Sequence, residues 1–124
     1  AHALIKYLIA QKTLIDGKKV PLFPGVFGIF GHGNVACLGQ ALQENQKDLP
    51  TWRGHHEQNM ALTGIAYSRA KRRKQIFIAT SSVGPGSTNM ITSAAVAMSN
   101  RIPILFLPGD TFANRMPDPV LQQI

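Results

Sequence analysis

The sequence predicts an α/β domain: a three-layer parallel sheet with helices on both faces, truncated at its C-terminal end. Three observations predict it. Val26–Phe30, Ile76–Thr80 and Ile104–Leu107 are short, nearly all-apolar runs, as expected of strands covered on both sides. Segments of helical period alternate with them, which calls for right-handed βαβ crossovers. Short polar segments, rich in glycine or histidine, follow the strands where each hands over to a helix.

Residues 2–11 place Leu4, Ile5, Leu8 and Ile9 on one helical stripe. Asp16-Gly17-Lys18-Lys19 forms a turn, and Pro21 and Pro24 make the next segment extended. After the strand at 26–30, Gly31-His32-Gly33-Asn34 leads into a helix over about 35–45 with Leu38, Ala41 and Leu42 on one side. Thr51-Trp52-Arg53 is a short strand candidate. A helix over about 56–70 turns Met60, Ala61, Gly64, Ile65 and Tyr67 inward. The strand at 76–80 runs into a glycine-rich loop. A helix at 88–99 then offers Ala94, Ala95 and Ala97 for close packing, and Asn100-Arg101 end it. Ile104–Leu107 is a further buried strand, stopped by Pro108-Gly109-Asp110. Pro117–Pro119 reads as an exit from the core before another helix.

A chain of 124 residues with 44% hydrophobic content suits one domain with a sizeable core. Both ends interrupt helical patterns, so residues 1–124 read as a fragment of a longer polypeptide. Cys37 is the single cysteine, which excludes an internal disulfide and reads as a small buried apolar residue in a reducing compartment. No apolar run approaches the roughly 20 residues needed to span a bilayer, and no secretory signal opens the chain. The expected location is the cytoplasm.

The net charge of +7 sets 13 basic against 6 acidic residues, concentrated at Arg69, Lys71, Arg72, Arg73 and Lys74. A non-catalytic basic module binding nucleic acid is one reading of that cluster. The other is a helix end, where cations meet the negative pole of the macrodipole. The second fits better, because no aromatic residue is interleaved for base stacking.

In a parallel α/β sheet the strand-to-helix junctions share one edge, where ligands bind. Gly31–Asn34, His55–Asn59 and Ser81–Asn89 therefore converge on one site. Glu57 is the only acidic residue between Asp48 and Asp110. In a helix's first turn it could serve the dipole alone. Enclosed by apolar walls, it would instead have a raised pKa and share a proton with a ligand nitrogen. The Ser81–Asn89 loop is either a backbone anion cradle or a rigid turn with Ser87 or Thr88 capping the helix. It has neither the P-loop lysine nor the GxGxxG spacing. His32 is either an acid/base or substrate partner or a solvated loop histidine. His55 or His56 could cap the helix, and zinc is a weak reading because HExxH spacing is lacking and Cys37 has no partner.

Gly54-His55-His56-Glu57-Gln58-Asn59-Met60-Ala61, then Thr80 through Asn89 (TSSVGPGSTN), then Ile102-Pro103-Ile104-Leu105 resemble, in order and spacing, the pyrimidine-binding domain of thiamine-diphosphate enzymes, acetolactate-synthase-like branch. The likeness covers nearly the whole chain. Phe30–Val35 and Gly109–Arg115, followed by Pro117–Gln123, resemble the members that hydrolyse a C–C bond of an inositol-derived cyclic 1,2-diketone. Acetolactate-type relatives usually carry Pro-Gly where this chain has His32-Gly33, and an acetolactate-like carboligase or 2-keto-acid decarboxylase is the alternative activity.

The resemblance implies that Glu57 is catalytic and hydrogen-bonds the pyrimidine ring nitrogen. It implies that Gly33, Gly84 and Asn89 line the cofactor and that His32 meets substrate. It implies no metal ligand in this chain: magnesium and the diphosphate belong to a separate domain with a Gly-Asp-Gly…Asn motif, which these residues lack. The active site would lie between subunits of a homodimer or homotetramer, and residues 1–124 alone would be inactive.

Overall fold

The structure, a computed structural model, describes residues 1–111 together with 113 and 114. The expected exit at Pro117–Pro119 and the helix after it lie outside the described residues.

Helix α1 (His2–Ala10) buries Ile5 and Leu8. Strands β1 (Lys12–Ile15) and β2 (Lys18–Pro21) pair antiparallel as a separate hairpin. Asp16 (φ 49°) and Gly17 (φ 77°) are both left-handed, the geometry that matches the twist of a two-residue hairpin turn. The turn was legible in Asp-Gly, but β1 was not, because its apolar residues are too few to show a period.

Strands β3 (Val26–Gly28), β4 (Thr51–Trp52), β5 (Ile78–Ser81) and β6 (Leu105–Pro108) form a parallel sheet in the order β4-β3-β5-β6. Alternation along the strands builds two cores. Val26 and Ile78 pack with Ile5, Leu8, Leu38, Ala41 and Leu42 on one face. Ala79 packs with Ala61 and Met90 on the other. Both faces of the sheet are therefore covered by helix. Among the described residues β6, like β4, lies at an edge of the sheet, and Leu105, Phe106 and Leu107 are half-buried rather than buried as expected.

The helix expected over 35–45 begins earlier. Gly31–Asn34 is already a helical turn (α2), continued by a π-helical turn at Val35–Gly39 into α3 (Gln40–Glu44). Leu38, Ala41 and Leu42 face the sheet, which leaves Cys37 off that stripe and exposed, not buried.

Helix α4 (Glu57–Ala70) buries Met60, Ala61, Gly64, Ile65 and Ser68, with Tyr67 half-buried. Its hydroxyl donates to Gln75 Oε1 at 3.1 Å, and Gln75 Nε2 donates to Pro21 O at 2.9 Å, tying α4 to the hairpin. Burial holds the Tyr67 hydroxyl above its ordinary pKa.

Instead of one helix over 88–99 there are two: α5 (Pro85–Thr88) and α6 (Ile91–Asn100). Ser93 and Ala97 are buried while Ala94 and Ala95 are exposed. The Ser93 hydroxyl donates to Gln58 O at 3.0 Å on the inward side of the helix. Arg73 closes the other end of this helix. Its Nε donates to Arg101 O at 2.9 Å and its Nη2 to Asn100 O at 3.4 Å, a cation at a helix C-terminus.

Candidate functional site

Glu57 opens α4 as its only first-turn acid, after the extended residue His56. His56 makes no capping side-chain bond, and His55 and His56 are exposed. Residue Glu57 is half-buried, and its carboxylate takes part in an exposed hydrogen bond. Asn89 Nδ2 donates to Glu57 Oε2 at 3.0 Å.

Two glycines shape the approach to that carboxylate. Gly84 has φ 66° and ψ −117°, a conformation open essentially to glycine alone. It turns the chain so that Pro85 can begin α5, and Thr88 N–H returns to Gly84 O at 3.0 Å. A Cβ on Gly86 would strike Ser82 Oγ and lie 3.2 Å from Glu57 Oε1. Any side chain at 86 would thus crowd both Ser82 and the second carboxylate oxygen.

Neither Ser87 nor Thr88 caps the helix. Ser87 Oγ lies 2.8 Å from both Ser82 O and Gly109 O, and 3.3 Å from Ser81 Oγ. Thr88 Oγ1 donates back to Pro85 O at 3.0 Å. The serines knot the end of β5, α5 and the end of β6 together. Sequence reasoning missed this knot; its signal was the hydroxyl run Thr80-Ser81-Ser82, buried in an otherwise apolar strand.

Asn34 Nδ2 donates to Ser81 O at 2.9 Å, fastening α2 to the same strand end. Gly33 and Asn34 line a cavity of about 90 Å³ with Val83, Gly109 and Asp110. His32 is exposed on α2 and makes no hydrogen bond among the described residues. A larger cleft of about 390 Å³ runs past Phe30, Val35, Leu42 and Arg53, and contains none of the expected site residues. Among the described residues no group of three His, Cys, Asp or Glu side chains could hold a metal ion.

The first and second polar segments each meet the third: Glu57 through Asn89 after α5, and Asn34 through Ser81 at the end of β5, with Gly33 and Val83 lining one cavity. Residues 24–124 match the family model for the thiamine pyrophosphate enzyme N-terminal TPP binding domain. The chain belongs to that family. As a thiamine pyrophosphate enzyme domain it is 57% identical over 124 residues to a Bacillus cereus protein named 3D-(3,5/4)-trihydroxycyclohexane-1,2-dione hydrolase 1, covering 100% of this chain and 19% of that one. It is 57% identical to the hydrolase of that name from Geobacillus thermodenitrificans, with the same coverage. The protein of that name from Clostridium tetani is 54% identical, again over 100% of this chain and 19% of its own length. This thiamine pyrophosphate enzyme domain therefore spans about a fifth of the relatives it matches. None of its described helices is long and apolar enough to cross a membrane.

Proposed function

We propose that residues 1–124 are the pyrimidine-binding part of a thiamine-diphosphate-dependent hydrolase. The full-length enzyme cleaves a C–C bond of 3D-trihydroxycyclohexane-1,2-dione, an inositol-derived cyclic 1,2-diketone, to release 5-deoxy-glucuronate in cytoplasmic myo-inositol catabolism. The observation that carries this reading is the Glu57–Asn89 pair at the carboxyl edge of the sheet, in a chain 57% identical to hydrolases named for that diketone.

The residues present fit the pyrimidine end of the cofactor. Glu57 offers a carboxylate with one oxygen held by an amide, and glycine at 86 spares the other the contact that a Cβ there would make at 3.2 Å. Thiamine diphosphate, when bound, supplies a carbon nucleophile and an electron sink. Glu57 holds a proton between its carboxylate and the pyrimidine ring nitrogen N1′. Asn89 orients the carboxylate for that task. Gly84 and Gly33 let the backbone come close to the ligand, and His32 meets the substrate. Magnesium and the diphosphate are held by a second domain outside these residues. The active site is completed between subunits of a homodimer or homotetramer, so residues 1–124 alone are inactive.

The test uses the full-length protein with thiamine diphosphate, magnesium and the cyclic dione. Ring-opened acid is the expected product, and Glu57→Gln slows C2–H exchange of the bound cofactor by about 10²-fold or more. Acetolactate formed from pyruvate with the dione left intact would overturn the substrate assignment. Unchanged exchange in Glu57→Gln would remove that residue from its role.

A further inference from the structure

The cavity beside Gly33 is lined in part by an exposed acidic residue that the proton-sharing role of Glu57 does not use. Asp110 follows the end of β6 and lines this cavity with Gly33, Asn34, Val83 and Gly109. Two hydrogen bonds hold the main chain entering it. Gly109 N–H donates to Ser81 O at 3.0 Å, and Gly109 O accepts from Ser87 Oγ at 2.8 Å. A Cβ on Gly109 would lie 2.8 Å from Val83 N and 2.9 Å from Asn34 Nδ2. One Asp110 oxygen, Oδ1, accepts the Thr111 N–H at 2.7 Å.

We propose that Asp110 is a specificity residue, its carboxylate accepting hydrogen bonds from the ring hydroxyls of a neutral polyhydroxylated diketone at the Gly33–Asn34–Val83–Gly109 cavity. The assignment rests on the functional reading above and names the group that recognises the substrate's hydroxyls. Its chemistry is that of an acceptor. An ionised carboxylate has about four lone-pair sites, and the Thr111 amide occupies one. Hydroxyl donors bind charged acceptors at shorter distances and about twice as strongly as neutral ones. The same charge repels an anionic 2-keto acid, so one group both favours the polyol and disfavours the competing substrate class. At about 90 Å³ the cavity has room for one hydroxyl-bearing edge of a ring rather than the whole of it.

The competing role for Asp110 is structural, as the side chain that closes the turn at Thr111. Asp110→Asn separates the two roles, because the amide oxygen can still accept the Thr111 N–H while the charge is gone. The experiment compares kcat/KM of the full-length enzyme on the trihydroxy dione and on unsubstituted cyclohexane-1,2-dione, with C2–H exchange of the bound cofactor as a third readout. In Asp110→Asn the ratio of the two kcat/KM values falls about 10- to 100-fold, and Asp110→Ala falls at least as far. Equal losses on both diones, accompanied by slowed exchange, would show a turn that merely supports the site and would overturn the assignment. An unchanged ratio would overturn it as well. Wild-type enzyme inert towards the trihydroxy dione overturns the functional reading itself, and this assignment with it.

Discussion

Asn89 Nδ2 sits 3.0 Å from Glu57 Oε2 and bridges two elements that are 32 positions apart in the chain. Glu57 starts α4, while Asn89 lies between α5 and α6, so one side-chain bond sets how the carboxylate faces the glycine turn. Removing it leaves Glu57 free to rotate into solvent. Asn89→Ala in the full-length protein is expected to slow C2–H exchange of bound thiamine diphosphate about 10-fold. The melting temperature should move little, because the bond is exposed. Exchange at the wild-type rate would show that Glu57 needs no orienting partner.

Gly86 leaves no room for a methyl group. In Gly86→Ala the new Cβ meets Ser82 Oγ and crowds Glu57 Oε1. Ser82 is buried at the end of β5 and cannot simply swing away. Urea denaturation of the full-length variant should reveal a loss of about 1–3 kcal/mol, together with weaker cofactor binding by calorimetry. Wild-type stability and affinity together would mean the loop relaxes freely.

Ser68 on α4 is fully buried, and its hydroxyl has no hydrogen-bond partner among the described residues. A buried hydroxyl without a partner is destabilising, and alanine is the better helix former. Ser68→Ala should therefore stabilise the protein by about 1 kcal/mol in chemical denaturation. A loss of that size would point to a partner for the hydroxyl instead.

Glu44 joins α3 to α1. His2 Nε2 lies 2.6 Å from Glu44 Oε2, and Gln40 Nε2 donates to Oε1 at 3.0 Å. The His2 bond first, then Gln40, holds the carboxyl below its ordinary 4.5. A depressed folded-state value means the stabilisation is present above the unfolded-state pKa and is lost as pH falls through the folded one. The pair is solvated, so the effect is small and salt-sensitive. Thermal melts should place Glu44→Gln below wild type near neutral pH, with the two converging as the pH drops well under 4.5. A gap that widens in acid would contradict the pairing.

Much of the fold was legible because its signals are local. The apolar runs around Val26, Ile78 and Leu105 are short and bounded by Gly, Pro or polar residues, and each contains a strand of the parallel sheet. The stripe Leu38, Ala41, Leu42 likewise gave the sheet-facing side of α3. Expectations failed where residue type was asked to report burial. Ala94 and Ala95 suit a packed helix, yet Ser93 holds the inner position, where its hydroxyl is satisfied by Gln58 O. Cys37 belongs to a residue type that is usually buried, but it falls off the stripe and faces outward. Ile104–Leu107 read as a buried strand because its apolar run does not show that β6 ends the described sheet.

The site divides along the same line. Glu57 at a helix start, and the glycine turn before α5, could be found from spacing alone, since both depend on neighbours within a few residues. The serine knot, the Asn34–Ser81 bond and the Asn89 contact with Glu57 could not. They follow from the order β4-β3-β5-β6, which brings the end of β5 between the ends of β3 and β6. Strand order is set by the joint burial of side chains from every layer, and no window of the chain contains that sum. The residues and their local conformations were written in the sequence; which of them touch was decided by the packed sheet.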